Sequence, residues 1–432
     1  QIEGAYDAVI LWSCLERSKY PDRVVELARS VVRPGGWLIG YVPNGPARKG
    51  VAPPEESVVR LRAYSVDLFR RTMGTVRFPE ILGGGPADGG DLALVVPMPL
   101  GPARPRSIAI VCPNSPEPWG PQSLESGIGG SEEAVVRLSR AFARRGHSVV
   151  VYGGGVYGPD LALEPMIDYR PMADYAPADV LIAWRFPEIL LPQLRPLEAE
   201  WRGLWLHDSV DRARVEAVVP YVDRIFCISN YHAGLYGGIK QIFEGRNGID
   251  PQEFETIEKE GIQRISTKAV YISSPFRGLH VLLELWPLVK QRVPEAELHC
   301  FYGFESADRM GVTATPEGAA LKARVLELAK QPGVVWRGRV GQPELYREMF
   351  SAGLLSYLSV YKEESCIGVM IAQAAGTWSV ATPIGALPQS VVFGQKVPIE
   401  GYVDAVVRAM RSDEDRQPMM QWARRHLSWD AV

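Results

Sequence analysis

Ser126-Gly127-Ile128-Gly129-Gly130-Ser131-Glu132-Glu133 runs directly into Ala134, Val135, Leu138, Ala141 and Phe142, whose spacing puts them on one face of a helix. A strand-like run, Ser107-Ile-Ala-Ile-Val-Cys112, precedes the loop, and another, His147-Ser-Val-Val-Val-Tyr152, follows the helix. The unit reads strand, glycine-rich loop, helix, strand, the repeat of a parallel sheet covered by helices. Glycines let the backbone approach a ligand closely, and Ser131 with two glutamates behind it suits a helix start. Amide N–H groups exposed there can meet a phosphate or sugar oxygen, although the same kind of turn also joins strands to helices where nothing binds. The spacing is not the dinucleotide fingerprint GxGxxG.

The alternation continues on both sides and divides the chain into three α/β blocks. Residues 1–100 form the first, with a buried strand at 7–12, a helix around 23–32, a turn at Pro34-Gly35-Gly36 and a strand at 37–42. The glycine- and proline-rich stretch at 101–106 reads as a linker. The second block, 106–255, carries strands at 107–112, 147–152, 180–183, 203–206 and 224–229. The third, 265–410, carries strands at 268–272, 297–302, 334–336 and 353–358, and a closing segment occupies 411–432. The expected class is α/β with parallel sheets. Two such blocks in series leave a cleft, and ligands of such sheets bind outside the carboxyl ends of the strands.

Composition narrows the class. With 432 residues, 46% hydrophobic and 22% charged, the chain can bury more than one core. Its 47 basic residues against 50 acidic ones give a net charge of -3 and no general attraction for nucleic acid. Cys14, Cys112, Cys227, Cys300 and Cys366 are scattered without a CxxC pair, so neither a disulfide framework nor a zinc site is expected, and a reducing cytoplasm is the natural location. No apolar run approaches the roughly 20 residues that span a bilayer. An integral membrane segment is therefore not expected, and peripheral contact stays open. The chain opens at Gln1 in what already reads as the interior of a domain.

Three strand-end loops carry candidate chemistry. Ser273-Ser274-Pro275-Phe276-Arg277-Gly278-Leu279 follows a strand and precedes an apolar helix over 281–289. A cation at a helix start opposes the helix dipole, so Arg277 calls for an anion such as a diphosphate; the bland alternative is a solvated arginine. Tyr361-Lys-Glu363-Glu364-Ser365-Cys366-Ile367-Gly368 runs into a helix over 369–376. Glu363 and Glu364 either orient sugar hydroxyls or simply cap that helix, and the N–H groups of Cys366, Ile367 and Gly368 suit a phosphate. His207-Asp208 ends the strand at 203–206, where a polar pair would face the cleft, although a lone histidine there is more often a structural hydrogen bonder.

Together and in this order, these stretches resemble glycosyltransferase family 4. The matching segments are GIGGSEEAVVRLSRAFARRGHSVVVYG from Gly127, WLHD at 205–208, CISNYH at 227–232, NGID at 247–250, SSPFRGL at 273–279, ESCIGVMIAQAAG from Glu364, PIGALP at 383–388 and the closing Leu427-Ser428-Trp429-Asp430. The resemblance covers 106–432 and implies the GT-B fold of two facing Rossmann-like domains. In it 106–255 is the acceptor side, 265–410 binds the donor, and the last helix, 411–432, crosses back to the first domain. It implies a retaining transfer from a UDP-, GDP- or similar sugar to an unidentified glycosyl acceptor, with no essential metal or other cofactor. By the same resemblance Gly129, Gly130, Arg277, Gly278, Ser365, Cys366 and Ile367 bind the donor, and His207 and Glu363 are catalytic. Arg277 and the amides near Cys366 and Ile367 would stabilise the departing diphosphate.

Two positions depart from that pattern. The family's second glutamate, which holds the nucleotide ribose, falls on Ile371, whose side chain accepts no hydrogen bond. The additional basic residue before Arg277 is replaced by Ser273 and Ser274. An impaired binding or scaffold protein is accordingly the alternative reading. The first block resembles the later motifs of class I S-adenosylmethionine methyltransferases, in Tyr6-Asp7-Ala-Val-Ile-Leu-Trp-Ser-Cys-Leu15-Glu16 and in the stretch from Leu27 to Leu38. The glycine-rich first motif and the acidic ribose-binding residue of that fold are absent, so S-adenosylmethionine is not expected to bind. A third reading makes the chain the transferase half of a bifunctional methyltransferase and glycosyltransferase.

Overall fold

The structure, a computed structural model, describes residues 6–12, 32–42, 92–97, 105–112, 117–163, 165–194 and 196–431. The chain divides into two compact units, Gln1–Arg104 and Pro105–Val432. In the first, β1 (Tyr6–Trp12) pairs parallel with β2 (Val32–Val42), and β2 pairs antiparallel with β3 (Leu92–Pro97). Both expected strands are present, but Pro34-Gly35-Gly36 is no separate turn. It lies within β2, where Tyr6 faces Val32 and Ala8 already faces Trp37, so the ladder is irregular around a proline that lacks an N–H to donate. The helix expected around 23–32 lies outside the described residues.

The second unit contains two sheets. One is built from β4 (Ser107–Cys112), β5 (Ser148–Gly153), β6 (Gly158–Pro159), β7 (Ile167–Arg170), β8 (Ala178–Trp184), β9 (Ala199–Trp205), β10 (Arg224–Cys227) and β11 (Ile242–Glu244). Its order is β11-β10-β9-β8-β4-β5-β7-β6, parallel throughout except for the β6–β7 edge. The other contains β12 (Ile265–Tyr271), β13 (Glu297–Phe301), β14 (Val334–Gly338), β15 (Ala352–Tyr357), β16 (Trp378–Ala381) and β17 (Gly394–Lys396) in the order β14-β13-β12-β15-β16-β17. The chain leaves β4 for β5 on one side and later returns to β8 on the other, so the strand order reverses between β4 and β8. It reverses in the same way between β12 and β15. Each reversal opens a crevice at the carboxyl ends of those strands.

Strand alternation divides the core. On β12, Val270 packs into one apolar layer, while Ala269 and Tyr271 pack into the layer on the opposite face. On β4, Ile108, Ile110 and Cys112 face one layer and Ala109 and Val111 the other. The helices that cover these faces include α1 (Gly130–Arg144), α2 (Pro251–Glu258), α3 (Leu279–Arg292), α4 (Pro316–Leu328), α5 (Gln342–Ser351), α6 (Ile367–Ala375), α7 (Tyr402–Met410) and α8 (Gln417–His426). Met420, Ala423 and Leu427 share a core with Val369, Met370 and Ala374 of α6. Beyond α8 the chain reaches the first sheet's layer: Ile249 N–H donates to Leu427 O at 2.8 Å, and the Trp429 and Trp205 ring centroids lie 6.2 Å apart.

The two lobes meet through a buried polar cluster. Arg137 of α1, only 3% exposed, is 2.6 Å from Glu133 and 2.8 Å from Glu253 of α2, and it donates to the Tyr346 hydroxyl of α5 at 2.8 Å. Gln342 of α5 donates to the other oxygen of Glu133 at 2.7 Å. Removing the cation strands two carboxylates, one of them fully enclosed. Arg137→Leu is therefore expected to lower stability by about 3–5 kcal/mol, read by urea denaturation; a loss under about 1 kcal/mol contradicts this account.

Candidate functional site

The second sheet supplies the first half. After β12 the chain makes a tight turn over Pro275–Arg277 and enters α3 through Gly278, whose φ is +129°. A Cβ at Gly278 would sit 2.7 Å from the Leu358 carbonyl oxygen, so only glycine lets this turn lie against the loop that leaves β15. Val360 N–H donates to Arg277 O at 2.9 Å and ties the two loops together. The Arg277 guanidinium is thereby brought onto the Glu363 carboxylate as an ion pair, and it also covers the Tyr361 ring at 4.9 Å. The Tyr357 hydroxyl lies 3.0 Å from both Glu363 Oε1 and Ser273 Oγ. Glu363 is 1% exposed and the Arg277 side chain 38%, so the guanidinium is anchored on a buried carboxylate while part of its side chain stays exposed.

Burial lifts the Glu363 carboxyl above its ordinary value, and Arg277 and Tyr357 pull it back. For Arg277 burial is the largest influence and acts downward, but Glu363, Tyr357 and Tyr302 together outweigh it and the net shift is upward, so the cation is permanent. The PIGALP segment backs this pair: Ala386 N–H donates to Glu363 O at 2.7 Å, and a Cβ at Gly385 would lie 2.5 Å from the same oxygen. Neither glutamate caps α6. Its N-cap is Cys366, with no side-chain cap bond; Val369 N–H donates to Cys366 O at 3.2 Å, which leaves the Ile367 and Gly368 amides at the start of the helix uncapped. The Cys366 thiol is pushed up to about 12, chiefly by burial, and stays protonated. Ile371 is 2% exposed within the apolar core under α6.

The first sheet supplies the other half. The helix after the glycine-rich loop starts at Gly130 with Gly129 as its N-cap, one residue before the expected Ser131, whose hydroxyl donates to Glu132 Oε2 at 2.9 Å instead of capping. The space that glycine leaves at position 129 is filled by this chain itself, because a Cβ there would lie 2.2 Å from Glu132 Oε2. Glu132 Oε1 is 3.3 Å from Arg185, which follows β8 with φ +68° and donates to Asp208 at 2.5 Å. His207 is buried between Trp205 and Trp184, at centroid distances of 4.3 and 6.0 Å. Its Nε2 is enclosed and has no hydrogen-bond partner among the described residues. Burial first, then the nearby Arg185 and His232, hold its pKa well below the ordinary value, so the imidazole is neutral.

The halves touch. Ser209, just past Asp208, donates to Glu364 Oε1 at 2.6 Å, and the Ser229 hydroxyl donates to Glu364 O. A Cβ on Gly130 would lie 3.5 Å from Ile367 at the start of α6. Tyr302, held at φ +89° after β13, has its phenol pushed up mainly by burial, with Glu132 of one lobe adding to the shift and Arg277 and Arg339 of the other opposing it. Arg185, Glu132, Tyr302 and Ser209 are parts of the site that the sequence reading did not single out. Arg185 and Tyr302 each stand one residue after a strand, where a ligand-facing residue belongs. A cavity of about 260 Å³ lies elsewhere, beside Arg137, Arg140 and Arg347, each already paired with a carboxylate. Among the described residues no group of three or more His, Cys, Asp or Glu is placed to hold a metal, and no helix is long and apolar enough to cross a membrane.

No family model matches the sequence. Among curated proteins, the mannosylfructose-phosphate synthase of Agrobacterium fabrum (strain C58 / ATCC 33970) is 29% identical over 119 residues, 28% of this chain. That stretch is 25% of the relative, so the match spans about a quarter of the curated protein's length. Among solved structures, AviGT4, a glycosyltransferase involved in avilamycin A biosynthesis, covers 75% of this chain and 94% of its own, at a TM-score of 0.55 and 17% identity. Sucrose-phosphate synthase from Thermosynechococcus elongatus covers 76% and 96% at 0.55 and 15%. Anabaena HepE, solved with UDP and glucose, covers 75% and 96% at 0.52 and 13%. The chain thus has the GT-B fold, two Rossmann-like lobes with parallel sheets, as in these glycosyltransferases.

A buried neutral histidine makes stability depend on pH in a defined direction. The unfolded chain binds a proton near pH 6.5 that native His207 refuses, so its contribution is complete above that pH and is lost as pH falls below it. His232, pulled down to about 4 chiefly by burial, acts in the same sense. The unfolding free energy is expected to fall between pH 6.5 and 5, approaching about 1.4 kcal/mol per pH unit for each of the two groups. His207→Gln should remove roughly half of that slope; urea denaturation at each pH reads it, and an unaltered slope would show that His207 titrates normally.

Proposed function

We propose that the chain is a retaining glycosyltransferase that moves a sugar from a nucleoside diphosphate donor to an acceptor hydroxyl without an essential metal or other cofactor. The observation that carries this reading is the partly exposed Arg277 side chain, anchored by buried Glu363 and joined with the uncapped start of α6 at the reversal between β12 and β15. A permanent cation and a helix N-terminus at a sheet's switch point suit a diphosphate. The complex of Anabaena HepE with UDP and glucose supports a uridine donor by analogy, and a GDP-sugar is the other candidate.

In this reading 265–410 is the donor lobe, 106–255 the acceptor lobe, and 411–432 the segment that returns to the acceptor lobe. Arg277, Gly278, Ser365, Cys366 and Ile367 meet the diphosphate, with Gly129 and Gly130 at its edge. As the bond from the anomeric carbon to the diphosphate oxygen breaks, negative charge collects where Arg277 and the α6 amides lie, and the acceptor hydroxyl passes its proton to the departing diphosphate oxygen as its own oxygen bonds to the anomeric carbon. Neutral His207 offers its unpartnered Nε2 to a sugar hydroxyl, and Glu363 holds Arg277 in place and faces the sugar. The four described cysteines are unpaired, which fits a reducing cytoplasm.

A second reading, nucleotide binding without turnover, rests on Ile371, which offers the ribose no acceptor. Titration calorimetry with UDP, GDP and ADP, followed by a donor-hydrolysis assay, separates the two. Arg277→Ala is expected to abolish nucleotide binding, whereas Glu363→Ala should retain weakened binding and lose turnover by about a hundredfold or more. Binding without turnover in the unsubstituted chain selects the second reading, and negligible effects from both substitutions remove this site from consideration.

A further inference from the structure

The acceptor half of the cleft has an electrostatic character of its own. Glu132 and Asp208 both pair with the single guanidinium of Arg185, so within this triad two carboxylates share one cation, while Arg339, against Gly127 of the same loop, is engaged with Arg309 by Glu117. His207 is neutral and adds nothing to the balance. Glu364, at the rim, has the uncharged Ser209 as its side-chain partner. The cation that faces an acceptor here is thus already spent on carboxylates, and a phosphate or carboxylate on the acceptor meets net repulsion.

The same groups suit neutral hydroxyls. A carboxylate accepts and a guanidinium donates, and neighbouring hydroxyls on a sugar ring do both. The Nε2 of His207, 93% buried by residue and without a partner among the described residues, is an independent sign that something polar is meant to reach this place. Arg185 is held at φ +68°, a conformation costing about 1 kcal/mol or more that persists where surrounding structure enforces it, commonly at ligand sites.

We propose that the acceptor taken at the Glu132–Arg185–Asp208 subsite is an uncharged polyhydroxyl compound, a free sugar or glycoside. This rests on the transferase reading above. The test uses the full chain and begins with hydrolysis of UDP-glucose and GDP-mannose in the absence of acceptor. Transfer is then measured with matched pairs, glucose against glucose 6-phosphate and fructose against fructose 6-phosphate. The neutral member is expected to give a kcat/KM at least about tenfold higher than its phosphate. Glu132→Gln combined with Asp208→Asn should narrow or reverse that ratio, with retained UDP binding reporting a folded variant. Equal or better use of the phosphates, a ratio the double variant leaves unchanged, or donor hydrolysis that neither member accelerates overturns the acceptor assignment alone. Absence of donor hydrolysis and of nucleotide binding overturns the transferase reading and the acceptor assignment with it.

Discussion

Arg137 is a full charge sealed between two lobes, and its desolvation is compensated only when α1, α2 and α5 are all in place. Its partners are Glu133 on its own helix, Glu253 on the connecting helix and Tyr346 on the far lobe. A buried ion left with part of this set costs several kcal/mol, so a shift of α1 along α5 that keeps Arg137 buried but mispaired is resisted more strongly than sliding one apolar surface over another would be. The registry so fixed sets Gly130 against Ile367 and Ser209 against Glu364. The loops after β8 and β9 therefore face those after β12 and β15 because a cation well away from the cleft has a single satisfactory environment.

Within that registry, topology decides which residues meet. Both halves of the site hang from strand-order reversals, where successive loops diverge and leave room for a ligand. Arg185 and Tyr302 are the non-glycine residues with positive φ among the described part of the chain, and each directly follows a strand of a different sheet. Tyr302 feels Glu132 from one lobe and Arg277 from the other. Tyr361, under the Arg277 guanidinium, is raised mainly by burial and then by the field of Glu364, with Asp208 across the cleft contributing. Two tyrosines thus mark the seam where the two halves of the cleft join.

Much of the fold was legible because buried parallel strands are written as continuous apolar runs: β4, β8, β12, β13 and β15 stand within a few residues of where those runs fall. The strands that escaped are short or polar. Ile167–Arg170 and Ile242–Glu244 carry charged residues, and Trp378–Ala381 contains Ser379, which is nevertheless fully buried. At the site, the loops around Arg277 and Glu363 were readable as strand-to-helix junctions, but their pairing across 86 residues was not, since nothing local records that Gly278 packs onto Leu358. Two bland alternatives fail on geometry. Glu363 and Glu364 are engaged by Arg277 and Ser209 instead of capping α6, and Arg277 is tethered instead of solvated.

The two halves also differ in electrical character. In the half built on the second sheet Arg277 and Glu363 cancel, and what remains for an anion is directional: the guanidinium and the N–H groups at the start of α6. These act over a few ångströms, and Ile371, sealed in the core, adds no acceptor beside them. In the half built on the first sheet two carboxylates share the one cation of Arg185. Under the transferase reading proposed above, a diphosphate entering the cleft would be drawn toward α6 and turned away from the Glu132–Asp208 pair by the same charge distribution. Orientation of the donor would then follow from that asymmetry even where the ribose is loosely held, because the end carrying the charge is the end with a single place to go.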